Sequence, residues 1–256
     1  MGWMVTETDM GEKLKKTPIV EAVCEFVFDP SAPWDWTIPG QLFERIKAEF
    51  PVRSQLRGIT LEMKSDADAP QLPNLRTAPE RVQLKRTDES AMVQVGERLL
   101  AVNHLRPYPN WENFRELILK VFTDYTAIAA KVPLKRIGLR YINQIETPPA
   151  PFGWADLITV TPPLRGPLDR PLLSFYQRYE IVQEEPKGVL IHQTGIMKVK
   201  DRDRVMLDLD FASEQVRTLE TNADIERWLD QAHARILEAF VASLNPGLYN
   251  RMKEGA

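Results

Sequence analysis

Two stretches of this chain alternate apolar and charged residues in the same way, 115 residues apart, and this repeat limits the fold more than any other feature. In Ile19 to Phe28, the residues Val20, Ala22, Cys24, Phe26 and Phe28 share one face of an extended segment, and Glu21 and Glu25 share the other. In Arg136 to Ile145, Ile137, Leu139 and Tyr141 alternate with Gly138, Arg140 and Ile142. Glu21 and Arg136 occupy like places in the two stretches, as do Glu25 and Arg140. A second landmark has almost the same offset: Trp111 and Trp228, 117 residues apart, each stand near the start of an amphipathic helix.

The elements between these landmarks follow the same order twice. After the first strand, Pro39 opens a short helix with Leu42, Phe43, Ile46 and Phe50 as its stripe, and Gly58 to Lys64 reads as a strand. Residues 65–79 hold three prolines among polar residues and read as an exposed loop. Three closely spaced strands follow, at 81–87, 92–96 and 98–103. Asn110 then caps a helix with Phe114, Ile118, Val121, Tyr125 and Ile128 on one side. In the second set, residues 147–171 contain seven prolines and read as a connection with one helical turn. Strands follow at 175–184, 189–199 and 204–211, and Asn222 caps a helix striped by Ile225, Leu229, Ala232, Ile236 and Phe240. Asn245-Pro246-Gly247 reads as its end.

A single helix on a small sheet leaves sheet edges open, and joining two such units edge to edge makes one wider sheet. The expectation is therefore an α+β fold of duplicated β-α-βββ-α halves, with a mainly antiparallel sheet and long helices on one face. A flexible lead over 1–17 precedes halves at 18–132 and 133–256. The two first strands are expected to pair at the seam, bringing Glu21 and Glu25 to Arg136 and Arg140; such cross-strand pairs contribute about 0.2–1 kcal/mol each. Val82, Leu84, Val93, Val95, Leu207 and Leu209 suit the helix-covered side. Gln83, Lys85, Gln94, Arg140, Asp208 and Asp210 then fall on the reverse.

Several chemistries are excluded. The three histidines, His104, His192 and His233, have no metal-ligand spacing, and one cysteine allows neither an internal disulfide nor a multi-cysteine zinc site. Asp208 and Asp210 share a strand face, but two carboxylates alone make no metal centre. His192-Gln193-Thr194 matches half of the paired H-x-T arrangement of two-histidine phosphoesterases, and no second copy exists. There is no G-x-S-x-G elbow, Walker loop or dinucleotide fingerprint. A net charge of -3, with acids interleaved among Lys198, Lys200, Arg202 and Arg204, argues against nucleic acid as a partner. No apolar run nears the ~20 residues of a membrane span, and no basic-then-apolar leader opens the chain. A cytoplasmic protein without a membrane segment, cofactor or metal is expected.

Five segments resemble one sporadically distributed bacterial and archaeal family of unknown function and about this length. They are Lys16 to Val23, Val93 to Gly96, Asn103 to Tyr108 with Trp111, Arg136 to Asn143, and Trp228-Leu229-Asp230 with Ala232-His233. Gln144 stands where the resemblance implies a basic residue. The patchy occurrence of the family implies a mobile or defence-associated setting and a protein acting with a neighbouring gene product.

The leading expectation is thus a non-enzymatic interaction protein, an accessory or neutralising partner in a defence or toxin–antitoxin-like module. The alternatives are a small-ligand binder or enzyme using the polar sheet face, and a nucleic-acid-binding saddle. Candidate binding residues on the sheet are Gln94, Arg140, Tyr141, Asn143, Asp208 and Asp210; no catalytic residue is assigned.

Overall fold

The computed structural model describes residues 14, 17–56, 59–62, 74–77, 81–129, 133–148, 152–168, 170, 172–199, 202–214, 216, 219 and 221–255. The expected flexible lead lies almost wholly outside them.

The fold is α+β, built on a nine-stranded antiparallel sheet with four helices among the described residues. The strands are β1 (Ile19–Phe28), β2 (Val52–Leu56), β5 (Arg81–Lys85), β6 (Ala91–Gly96), β7 (Leu99–Leu105), β8 (Leu134–Glu146), β9 (Tyr176–Glu184), β10 (Lys187–Val199) and β11 (Arg202–Glu214). They lie in the order β2-β5-β6-β7-β1-β8-β11-β10-β9. A separate two-stranded sheet pairs β3 (Ile59–Glu62) with β4 (Asn74–Thr77). The helices are α1 (Ile38–Ile46), α2 (Trp111–Thr126), α3 (Asn222–Ser243) and α4 (Pro246–Glu254).

The two strands expected at the seam are hydrogen-bonded to each other. β1 and β8 run antiparallel through the middle of the sheet, with Cys24 opposite Leu139, Val23 opposite Arg140 and Glu25 opposite Gly138. Arg136 Nη1 donates to Glu25 Oε1 at 2.7 Å across this pair. Period-two alternation sorts every central strand into two faces. Ala22, Cys24, Phe26 and Phe28 of β1 enter the core together with Ile137, Leu139, Tyr141 and Ile145 of β8 and Val205, Leu207, Leu209 and Phe211 of β11. The stripes of α2 (Phe114, Ile118, Val121) and α3 (Ile225, Leu229, Ala232, Ile236) join the same cluster. The Phe26 ring packs at a tilt against Phe122, centroids 4.6 Å apart, and Phe28 stacks against Tyr125 at 4.9 Å. Cys24 is fully buried among these groups, and burial pushes its thiol pKa up, which suits a small apolar filler and not a nucleophile.

Helix boundaries follow local chemistry. Asn110 caps α2 by accepting from the Asn113 backbone N–H at 2.8 Å. At α3 the capping residue is Thr221, one earlier than expected; it forms a reciprocal box with Asp224. Asn245-Pro246-Gly247 ends α3 but also begins α4: the Asn245 side chain accepts from the Gly247 N–H at 2.9 Å, with Pro246 in the first turn. An Asn-Pro pair serves equally as a stop and as a start, which is why its second use escapes a sequence reading.

Two strands depart from expectation. β2 has no alternation to betray it, because all five of its residues are exposed at the sheet edge. The expected loop over 65–79 contains β4, paired with β3; its remaining residues lie outside those described. Among the described residues no helix is long and apolar enough to cross a membrane.

Burial and charge contribute unequally at the central pair. Phe26→Ala is expected to lower stability by about 3–5 kcal/mol in chemical denaturation, because it empties a fully enclosed site. A double-mutant cycle on Glu25 and Arg136, both partly exposed, is expected to give a coupling below about 1 kcal/mol.

Candidate functional site

The predicted site residues divide between the two sides of the sheet. Gln94 on β6, Arg140 on β8, and Asp208 and Asp210 on β11 lie on the reverse side, away from the core. Tyr141 and Asn143 do not join them: they are buried on the core side. Neighbours in a strand point opposite ways, so Tyr141 cannot share a face with Arg140, nor can Asn143.

On the reverse side the polar groups satisfy one another. Arg140 grips Asp208 with both ends of its guanidinium, Nε to Oδ1 at 2.8 Å and Nη2 to Oδ2 at 2.5 Å. The Asp208 side chain is only 5% exposed, and Gln193 Nε2 also donates to it at 3.2 Å. Gln193 in turn accepts from the Tyr176 hydroxyl. Arg136 joins Glu25 and comes within 3.7 Å of Asp210. Its guanidinium lies over Gly138, where a Cβ would sit 3.2 Å from it. Gln94 is separate from the arginines: its amide donates to Asn103 Oδ1 at 3.1 Å, and Asn103 donates to Glu21 at 2.6 Å. Burial raises the Asp210 pKa despite the nearby arginines, whereas Asp208 raises that of Arg140. Each aspartate faces a guanidinium, which competes with any cation for the same oxygens. Among the described residues no group of three or more His, Cys, Asp or Glu side chains could hold a metal ion.

On the core side, segments remote in sequence meet. The Tyr108 and Tyr141 hydroxyls are 3.0 Å apart. The Trp111 ring stacks on His233 at 4.2 Å with 5° between planes, and its Nε1 donates to Asp230 Oδ1 at 3.0 Å. Arg115 donates to both oxygens of Asp230 at 2.8 Å. Asn143 donates to the Leu207 carbonyl at 3.1 Å. Apart from Arg115 and Leu207, these are residues of the segments that carried the family resemblance, and a small apolar pocket of about 90 Å3 lies beside them. Pro18, Ile19, Tyr141, Asn143, His233 and Phe240 are among its walls. Desolvation drives the His233 pKa down to about 4 and raises those of Tyr108 and Tyr141. All three groups are uncharged at neutral pH. His192 is likewise buried, 2.8 Å from the Ser243 hydroxyl of α3, so the half phosphoesterase motif is part of the core.

A larger cleft of about 380 Å3 was not legible in the sequence. It opens where β8 ends, and its polar walls include Thr17, Arg106, Gln144, Glu146, Arg204 and Arg251. Arg204 Nη1 donates to Glu146 Oε1 at 3.0 Å, while its Nε is buried without a hydrogen-bond partner. The three arginines come from the end of β7, the start of β11 and α4, and no local pattern links them.

Two outcomes are expected. Arg140→Met strands the Asp208 carboxylate and costs about 2–4 kcal/mol in denaturant unfolding, whereas Arg140→Met with Asp208→Leu recovers most of that loss. The second concerns pH. An unfolded histidine binds a proton near pH 6.5, but folded His233 does not until about pH 4. The contribution of neutral His233 is thus present above 6.5 and fades as pH falls toward 4, by about 3 kcal/mol in all. Thermal unfolding across that range is expected to show a flatter pH dependence for His233→Gln than for the parent chain.

No family model matches this chain, and no curated protein matches it at a significant level.

Proposed function

We propose that this protein works by binding another protein, the product of a neighbouring gene, as the accessory or neutralising member of a mobile-element or defence module of the toxin–antitoxin type. In this reading the chain is two like modules fused side by side. Their long helices shield one face, and the reverse face with its β9 edge is left for the partner.

The order of strands supports the duplication. Outward from the central pair it runs β1-β7-β6-β5 on one side and β8-β11-β10-β9 on the other. A long helix follows β7 and another follows β11. Cys24 and Leu139, directly opposite at the centre, differ by the same 115 residues that relate Glu21 to Arg136, as a two-fold relation between the modules requires.

The observation that carries the binding role is the β9 edge. Sheet edges that must not pair are usually short, or guarded by lysine, proline or a bulge. β9 is nine residues long, contains neither Lys nor Pro, and holds Tyr176, Tyr179, Ile181 and Val182 open to solvent, Val182 at 74%. Of its three charges, Arg178 and Glu180 bond each other at 2.7 Å and Glu184 stands at the very end of the strand, so the middle of β9 does little to repel an incoming strand. The occupant that fits is an extended segment of the partner, added antiparallel or parallel to β9 with apolar side chains beside Tyr176 and Val182. Nucleic acid fits less well. The reverse face sets Glu21, Glu25, Asp208 and Asp210 among its arginines, and these carboxylates oppose phosphate.

Co-expression with the neighbouring gene product is expected to yield a stoichiometric complex in which β9 amides gain protection from hydrogen exchange. Val182→Lys with Tyr176→Lys is expected to weaken it by about tenfold or more, and Val182→Lys alone is expected to weaken it without changing the melting temperature of the free chain. Absence of a complex, or a complex indifferent to both substitutions, would overturn the proposal.

A further inference from the structure

The cleft at the end of β8 has the chemistry of a ligand site that is distinct from the β9 edge. We propose that it binds a small molecule with an anionic head, a phosphate or carboxylate, on a short apolar body. Three guanidinium groups, those of Arg106, Arg204 and Arg251, share its wall with one carboxylate, Glu146. Glu146 is already engaged by Arg204. Among the described residues, Arg106 and Arg251 form no ion pair. The Nε of Arg204 is buried without a hydrogen-bond partner and out of a ligand's reach, so Arg204 brings charge to the cleft while the exposed Arg106 and Arg251 offer the direct contacts.

The remainder of the wall specifies the rest of the ligand. Pro18, Ile145, Leu157, Leu248 and Met252 form an apolar lining; of these, Leu157, Leu248 and Met252 come from the proline-rich connection and α4. A free inorganic anion would leave that lining unused. A ligand with a few methylene groups removes it from water, at about 0.8 kcal/mol per buried CH2. The volume of about 380 Å3 is in the range of small-molecule sites. Arginine suits either head group, because its planar fork matches carboxylate and phosphate alike.

Calorimetric titration of the full chain with octyl phosphate, octanoate and inorganic phosphate tests this. Saturable one-site binding is expected for at least one of the two amphiphiles, about tenfold or more tighter than for inorganic phosphate; the tighter of the two identifies the head group. Arg251→Ala and Arg106→Ala are each expected to weaken that binding by about 5–10-fold, with Arg251→Lys recovering part of the loss. Both side chains are exposed, so the melting temperatures of the ligand-free variants should match that of the parent. No saturable binding of any of the three probes would overturn the proposal. So would equal affinity for octyl and inorganic phosphate, or unchanged binding in the Arg106→Ala/Arg251→Ala double variant.

Discussion

The antiparallel pairing of β1 with β8 joins segments more than a hundred residues apart, and every other long-range feature is placed by it. Formed last, it would leave two sheets with exposed inner edges; formed at all, it buries both edges and sets their core faces side by side. Its strength lies in the apolar side. Ala22, Cys24 and Phe26 meet Ile137, Leu139 and Tyr141 there, and removal of that surface from water exceeds the contribution of the partly exposed Glu25–Arg136 pair on the other side. The ion pair opposes register slips instead, since a one-residue shift would turn each charge into the core.

One strand, β8, serves three environments because its side chains alternate. Arg136 and Arg140 reach the reverse face, Tyr141 and Asn143 enter the core beside the small pocket, and Gln144, Ile145 and Glu146 border the arginine cleft. The physical demands differ accordingly. Asp208 is almost fully buried and tolerates burial only with the Arg140 fork and Gln193 on it. His233 tolerates burial by giving up its proton and stacking on Trp111. Arg204 is satisfied at one nitrogen only. The first is a closed arrangement with nothing left to offer a ligand, and the second borders only the small apolar pocket. The third stands in the wall of a cleft with two more guanidinium groups beside it.

Alternation and helical stripes were enough to foresee the central strands, both long helices and the β1–β8 pairing, because most of these elements have one wetter and one dry side; β7, buried on both sides along its middle, is the exception. Elements without that contrast escaped. β2 is wet on both sides, and α4 begins with residues that also terminate α3. Among the candidate site residues, period two puts Gln94, Arg140, Asp208 and Asp210 on one side of the sheet and Tyr141 and Asn143 on the other, where the structure has them. The arginine cleft was beyond any sequence reading, since Arg106, Arg204 and Arg251 are brought together only by tertiary structure.

The β9 edge and the arginine cleft differ in what they ask of a ligand. β9 offers backbone hydrogen bonds and exposed Tyr176 and Val182, a long and shallow surface suited to an extended chain. The cleft offers guanidinium groups beside an apolar lining, suited to a small molecule with an anionic head. Between them runs β11, whose start supplies Arg204 to the cleft and whose middle supplies Asp208 to the network that ends at Tyr176 on β9. An anion on Arg204 would compete with Glu146 for its guanidinium. Because Glu146 and Arg204 are register partners across β8 and β11, that competition acts on the same two strands that hold the Arg140–Asp208 fork. The two sets of side chains are separate, Arg204–Glu146 at the strand ends and Arg140–Asp208–Gln193–Tyr176 further along, and what they share is the β8–β11 ladder.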